Sequence, residues 1–389
     1  MKILHTSDWH IGKRLAGRER LDEQAAVLNE IASVCDREGV ELVLVAGDVF
    51  DNYLPSARAE SVFYAAVKAI AGKDRCVLAI SGNHDDNVRL TAAGVLAEEQ
   101  GIYIFGNGRR VPATGGDRAV CAVEAGTNHI VFRGRTGGRV YVNVLPYPNE
   151  ARCGEELAPG ESFADKMRRW IAEGQAACAE GLPSVFLSHL FVAGGKVSEG
   201  EREIDLGGAR AVPLSLLPPC AYTALGHLHR RQHFRGNVYY SGSILQYSFD
   251  EAGCEKSVVV FDLDESGVHG LHEVPLTAGR QLVRLSANGA EEGAALLGKY
   301  PGAYAELTLY LREPLVSAQV RALKEANEGL VSILPVVQGD GGESLAGVSR
   351  RQMSSSELFS AYYSSLYGED APKELTELFL SLTEAEDEA

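Results

Sequence analysis

Short apolar runs punctuate the first 230 residues, and five of them end abruptly on Gly, Asp, Asn or His. Leu42–Val45 is four apolar residues in a row, the pattern of a strand buried on both faces, and Ala46-Gly47 turns the chain in front of Asp48. The same grammar recurs where residues 2–5 lead into Thr-Ser-Asp8-Trp-His10 and where residues 76–80 lead into Ser-Gly82-Asn83-His84-Asp85. It recurs again where 185–187 lead into Ser-His189-Leu and 222–225 into Gly226-His227-Leu-His229. Between them, Leu21, Ala25, Leu28 and Ile31 recur at helical spacing up to Gly39, and a second helix is predicted over 56–70 with Ser56 as N-cap. Its face of Val62, Phe63, Ala66, Val67 and Ile70 reads as core. Four β-like runs with Gly-rich turns occupy 101–148, a helix is expected over 163–178, and strands are expected at 238–240 and 258–263. His129 falls inside one of these runs with no loop after it and reads as structural. After Pro275 the pattern becomes strand, helix, strand, helix, strand up to 337, followed by a Gly-rich linker at 339–343 and two short amphipathic helices at 356–367 and 373–382.

Strands that each end on a short loop place those loops on one rim of a sheet, where open α/β folds gather functional side chains. A lone carboxylate such as Asp48 caps a turn or helix as readily as it binds a metal. Five such loops together bring carboxylates, an amide oxygen and imidazoles toward one point. Asp8-X-His10 and His227-X-His229 each set alternate residues of an extended segment on one side. An imidazole and carboxylate mixture suits Mn, Fe or Zn, whereas all-oxygen sets suit Mg or Ca.

Asp8-X-His10, Gly47-Asp48-X-X-Asp51, Gly82-Asn83-His84-Asp85, His189 and Gly226-His227-X-His229 resemble the full motif set of the calcineurin-like metallophosphoesterases. Within that superfamily, His189-Leu-Phe-Val-Ala-Gly-Gly and Tyr240-Ser-Gly-Ser are similar to the bacterial nuclease subunits that work with SbcC-type ATPases. The resemblance implies an α/β fold of two stacked mixed β-sheets flanked by helices over 1–275, a small α/β capping domain over 276–340, and a linker with C-terminal helices over 341–389 that bind the ATPase. It implies two divalent ions, with Mn our first choice: Asp8, His10 and His229 hold one, Asn83, His189 and His227 the other, and Asp48 bridges. His84 is then the catalytic residue that stabilises the transition state or protonates the leaving oxygen, with Asp85 orienting it. Asp51 stands where some related nucleases carry a His, which leaves its role open. Apolar surface on the second helix and at 90–96 is expected at a homodimer contact.

Composition changes the picture in two places. The formal charge is −16, which argues against nucleic acid globally, yet Lys13, Arg14, Arg18 and Arg20 follow the first loop and are expected to bind the phosphate backbone of double-stranded DNA ends. Seven Cys without a C-x-x-C pair fit reduced thiols in a cytoplasm, and no run of 18 apolar residues suggests a membrane span. No G-x-x-x-x-G-K-[ST] loop occurs, so ATP dependence has to come from a partner. The expected function is metal-dependent exonuclease and endonuclease cleavage of DNA in repair and recombination. The alternatives are a phosphodiesterase for cyclic nucleotides or phosphoproteins, and a mainly scaffolding subunit.

Overall fold

A computed structural model describes residues 1–106, 110–149, 160–198 and 211–337, together with 359, 360, 363, 371–373, 375 and 376. The expected linker at 339–343 and most of the two C-terminal helices lie outside the described residues. The chain divides into two compact units, Met1–Val336 and Val337–Ala389.

The described strands are β1 (Lys2–Thr6), β2 (Leu42–Val45), β3 (Cys76–Ile80), β4 (Ile102–Phe105), β5 (Cys121–Ala125), β6 (His129–Arg133), β7 (Arg139–Leu145) and β8 (Ser184–His189). They continue as β9 (Tyr222–Gly226), β10 (Gln232–Phe234), β11 (Val238–Tyr240), β12 (Ser257–Asp264), β13 (Gly267–Pro275), β14 (Leu282–Asn288), β15 (Tyr304–Leu311) and β16 (Leu330–Val337). One sheet runs β13-β12-β1-β2-β3-β4, a second β10-β11-β9-β8-β7-β6-β5, and a third β14-β15-β16. In the first sheet β1 to β4 are parallel and β12 pairs antiparallel with β1; in the second, β7, β8, β9 and β11 are parallel.

The unbroken apolar runs follow from burial on both faces. Alternate residues Leu4, Val43, Val45, Val77 and Ala79 join helices α1 (Leu21–Glu38) and α2 (Ala57–Ala71) in one core. Their neighbours Ile3, Leu42, Leu44, Leu78 and Ile80 meet Phe132, Val142, Val185, Leu187 and Ala224 of the second sheet. The outer face of that sheet is covered through Met167, Trp170 and Ile171 of the helix Phe163–Gln175. Helices, sheet, sheet and helix therefore stack in four layers, each fully buried aliphatic side chain adding roughly 1.5–3 kcal/mol.

Local signals decide the helix ends. Gly39 caps α1 in the left-handed conformation at φ 69, and Ser56 Oγ caps α2 by accepting the Ala59 N–H at 3.2 Å. The buried face of α1 differs from the expected one in one respect: Gln24 is buried and Ala25 only half-buried. Gln24 takes that place because its side chain accepts the Gly12 N–H at 3.0 Å and donates to the His10 carbonyl at 2.7 Å, which fixes the loop after β1.

The third sheet carries its own core, in which Leu285, Leu307 and Leu309 meet Leu297 and Leu323 of the helices Ala290–Leu297 and Ser317–Ala326. Leu15, Leu282 and Tyr304 form a separate small cluster where this unit meets the loop after β1. Among the described residues no helix is long and apolar enough to cross a membrane.

Candidate metal centre

The loops following β1, β2, β3, β8 and β9 all leave the carboxyl ends of their strands, and hydrogen bonds bind them to one another. The first two are zipped together: Asp8 N–H donates to Gly47 O at 3.0 Å, His10 N–H to Asp48 O at 2.9 Å and Ile11 N–H to Val49 O at 2.9 Å. Asp8, His10 and Asp48 adopt positive φ of 51, 45 and 50, and His227 adopts 107. Such φ values cost energy for residues with a Cβ and cluster where neighbouring structure forces a side chain into a working position. Gly226 permits β9 to pass close to the loop after β2, since a Cβ there would lie 1.9 Å from Ala46 O.

All seven expected ligands meet at this point, and all are buried. His10 Nε2 lies 3.0 Å from His229 Nε2 and 3.5 Å from Asp48 Oδ2. His189 Nε2 lies 2.9 Å from Asn83 Oδ1 and 3.4 Å from Asp48 Oδ2, and His227 Nδ1 is 3.0 Å from the same Asn83 oxygen. Asp48 is aimed by its other oxygen, which accepts the His84 N–H at 2.9 Å. Asp8 is aimed by the His227 N–H at 3.0 Å and the Ser7 hydroxyl at 2.5 Å. Asp8, His10 and His229 form one group able to hold a cation, Asp8, Asp48 and His189 another, and His10, Asp48 and His84 a third.

The donor set also fits a metal chemically. His189 Nδ1 lies 2.8 Å from Ala46 O, a carbonyl that only accepts, so Nδ1 carries the proton. Its Nε2 lone pair then faces the Asn83 and Asp48 side chains, a set of donors that fits a cation among them. Without a metal that cation is a proton: burial alone would lower the His189 pKa, but the Asp48 and Asp8 carboxylates outweigh it and raise it to about 9. Burial pushes His10 and His227 down to about 3, so both rings are neutral at pH 7 and offer lone pairs.

Residues 1–231 match the family model described as calcineurin-like phosphoesterase. The chain belongs to this phosphoesterase family. It is 35% identical over 406 aligned positions, 100% of this chain and 99% of the relative, to the SbcD subunit of nuclease SbcCD from Bacillus subtilis strain 168. It is 37% identical to the corresponding SbcCD nuclease subunit of Rhodobacter capsulatus, over 74% of this chain and 72% of that one. For the Staphylococcus epidermidis protein of the same name the figures are 28%, 72% and 71%. Within the calcineurin-like phosphoesterases the chain thus groups with the SbcD nuclease subunits, and it is a hydrolase of phosphoesters that uses divalent metal.

Around the ligands of this phosphoesterase, three expectations need correction. Asp85 does not orient His84: its fully buried carboxylate accepts N–H groups from Val49 at 3.1 Å, Phe50 at 2.8 Å and Gly82 at 2.8 Å, which ties the β2 and β3 loops together. His84 is oriented by Asp51, whose backbone carbonyl accepts from Nδ1 at 2.7 Å. Arg20 does not face a phosphate, because it is 1% exposed and bound to Glu23 and the Gln246 carbonyl. Arg18 is exposed, yet its guanidinium is committed to the carbonyls of Glu328 at 2.9 Å and Leu330 at 2.8 Å, a strap onto the third-sheet unit. Lys13 and Arg14 stay near the loop, paired with Asp51 at 2.9 Å and Glu19 at 2.5 Å.

The Asp51 carboxylate also lies 3.4 Å from His10 Nδ1; burial opposes its ionisation, but His10 and Lys13 win and hold its pKa low. Trp9 and Phe50 are core residues, whereas Tyr53 is 52% exposed. His129 stacks on Tyr141 at 5.4 Å, as expected of a structural residue. Sequence reasoning missed Gln24, Tyr247, Glu251 and Lys256, which surround the ligands from distant parts of the chain; no motif marks them, and only packing reveals them.

Proposed function

We propose that the protein is a two-metal DNA nuclease that processes double-stranded DNA ends together with an SbcC-type ATPase in the cytoplasm. The observation that supports this best is the meeting of the His189, Asn83 and Asp48 side chains beside the His10–His229 pair, on a chain related over its whole length to an SbcCD nuclease subunit. Asp8, His10 and His229 would hold one ion and Asn83, His189 and His227 the other, with the Asp48 carboxylate within 3.5 Å of both His10 and His189. When bound, two divalent ions, Mn by preference, generate the nucleophile and offset the negative charge gathering on phosphorus. The chain contributes the geometry: strained loops fix the ligands, and the neutral Asn83 oxygen limits the negative charge beside an incoming phosphate. His84, with Nδ1–H held by the Asp51 carbonyl, presents Nε2 for charge stabilisation or proton delivery at the leaving oxygen. Lys13 and Arg14 are the remaining phosphate contacts of the first loop.

The third-sheet unit serves as a cap over the DNA path, and the C-terminal helices bind the ATPase as a helix in a groove. A homodimer forms through α2 and the helices α3 (Asn87–Thr91) and α4 (Gly94–Glu98). On these helices and in the loop before α2, the large apolar side chains Leu54, Tyr64, Val88, Val95 and Leu96 are 41–80% exposed.

The test is Mn²⁺ with end-labelled linear duplex DNA, with and without the ATPase, alongside a cyclic dinucleotide. Shortening of the DNA that His84→Ala reduces roughly 10²–10⁴-fold without loss of bound Mn²⁺ is the expected result. Intact DNA in the presence of the ATPase, with turnover of the cyclic diester, refutes the substrate assignment and keeps the metal centre.

A further inference from the structure

A buried ion pair adjoins the metal centre and takes no part in the chemistry above. Glu251, fully buried, ends the short turn Phe249–Glu251, and Lys256, 8% exposed, lies just before β12. Glu251 Oε1 is 3.4 Å from His229 Nδ1 and 3.3 Å from the Tyr247 N–H, while Oε2 accepts from Lys256 Nζ. The same ammonium donates to the His229 carbonyl at 2.8 Å and to Ser243 Oγ at 2.7 Å, and the Ser243 N–H reaches that carbonyl at 3.1 Å. Lys256 therefore grips both the backbone of His229 and the carboxylate that faces its ring.

Burying such a pair contributes little net stability, because desolvation consumes most of the attraction. Its geometry has a different consequence. His229 Nε2 faces the site, 3.0 Å from His10 Nε2, and it binds a cation only through a lone pair, which requires the proton to be on Nδ1. The acceptor at Nδ1 selects that tautomer, and Glu251 is the acceptor. The turn is anchored on its far side as well: Gln246 Nε2 donates to Glu251 O at 3.1 Å, and Gln246 Oε1 accepts the Leu282 N–H at 2.6 Å, the first residue of β14.

We propose that Glu251 is a positioning residue of the metal centre, fixing the tautomer and ring angle of His229, with Lys256 holding Glu251 in place. The inference rests on the two-ion reading given above. Its test uses the full chain and Mn²⁺ alone, titrated calorimetrically into metal-stripped protein. In E251L/K256M the pair becomes apolar side chains of similar length; in E251Q/K256M an acceptor oxygen remains opposite Nδ1. The double variant E251L/K256M should weaken one Mn²⁺ site roughly 10–100-fold and leave the other unchanged, with E251Q/K256M recovering most of the loss. Nitrogen-15 spectra of histidine-labelled, metal-free wild type should show His229 with its proton on Nδ1, a measurement that needs no variant to fold. Wild-type Mn²⁺ affinity in E251L/K256M, or the proton on Nε2 in the wild type, overturns the inference. A wild type that binds no Mn²⁺ at all overturns the two-ion reading itself, a distinct result.

Discussion

Replacing Asp85 by Ala isolates what holds the β2 and β3 loops in register. The substitution leaves three buried N–H groups, on Val49, Phe50 and Gly82, without their acceptor. At about 1–3 kcal/mol each, the loss is about 6 kcal/mol. Part of it is returned, because the carboxylate is itself strained: burial and the neighbouring Asp48 raise its pKa from 3.8 to about 6 even against those three bonds. Two units correspond to about 3 kcal/mol of penalty on the ionised form at pH 7. The net expectation for Asp85→Ala in metal-free protein at pH 7 is therefore about 3 kcal/mol less stability by urea unfolding. A carboxyl whose folded pKa is raised stabilises below its unfolded pKa and loses that contribution as pH rises through the folded value. Asp85 thus adds stability to the wild type on going from pH 7 to pH 5 that the variant lacks, so the deficit should grow by about 1 kcal/mol. A loss under about 1 kcal/mol at both pH values, or a deficit that shrinks at pH 5, refutes the reasoning.

Other consequences follow from single contacts. His189, raised to about 9 by the Asp48 and Asp8 carboxylates over the opposing effect of burial, stabilises metal-free protein fully below about pH 6.5 and ceases to as pH passes 9. The Tm gain on adding Mn²⁺, read by scanning fluorimetry, should consequently be larger at pH 9 than at pH 6.5; an equal or smaller gain contradicts the proton–metal exchange. Gly226→Ala places a Cβ 1.9 Å from Ala46 O and should part the two loops, lowering stability by about 1–3 kcal/mol and abolishing tight Mn²⁺ binding, as measured by urea unfolding and calorimetry. Arg18→Ala removes two bonds to the carbonyls of Glu328 and Leu330, and hydrogen exchange in 328–331 should rise while exchange in β1 to β3 stays unchanged.

The sequence by itself determined the elements that depend on neighbours in the chain. Leu42–Val45 is legible as a buried strand because every residue is apolar, and the ligands are legible because each sits within a few residues of a strand's end. Direct attachment to strand ends makes a motif a structural statement, and Asp8, His10, Asp48, Asn83, His189, His227 and His229 all converge. β13 packs Val268, Leu271 and Val274 against the core at a spacing of three rather than two, so no strand alternation registers in its sequence, and it was not expected.

Only tertiary structure decided which charges are available and which groups are neighbours. Arg20 looks like its neighbours Arg14 and Arg18 in sequence, but the Gln246 loop closes over it from 226 residues away. Asp85, next to His84 in the chain, points instead to backbone N–H groups of two loops, while Asp51, 33 residues earlier, supplies the carbonyl for the His84 ring. Glu251 reaches His229 across 22 residues because Lys256 and the turn at Phe249–Glu251 fold onto the site. A side chain's direction follows from the donors and acceptors that packing brings within about 3 Å, and those partners belong to other elements of the fold.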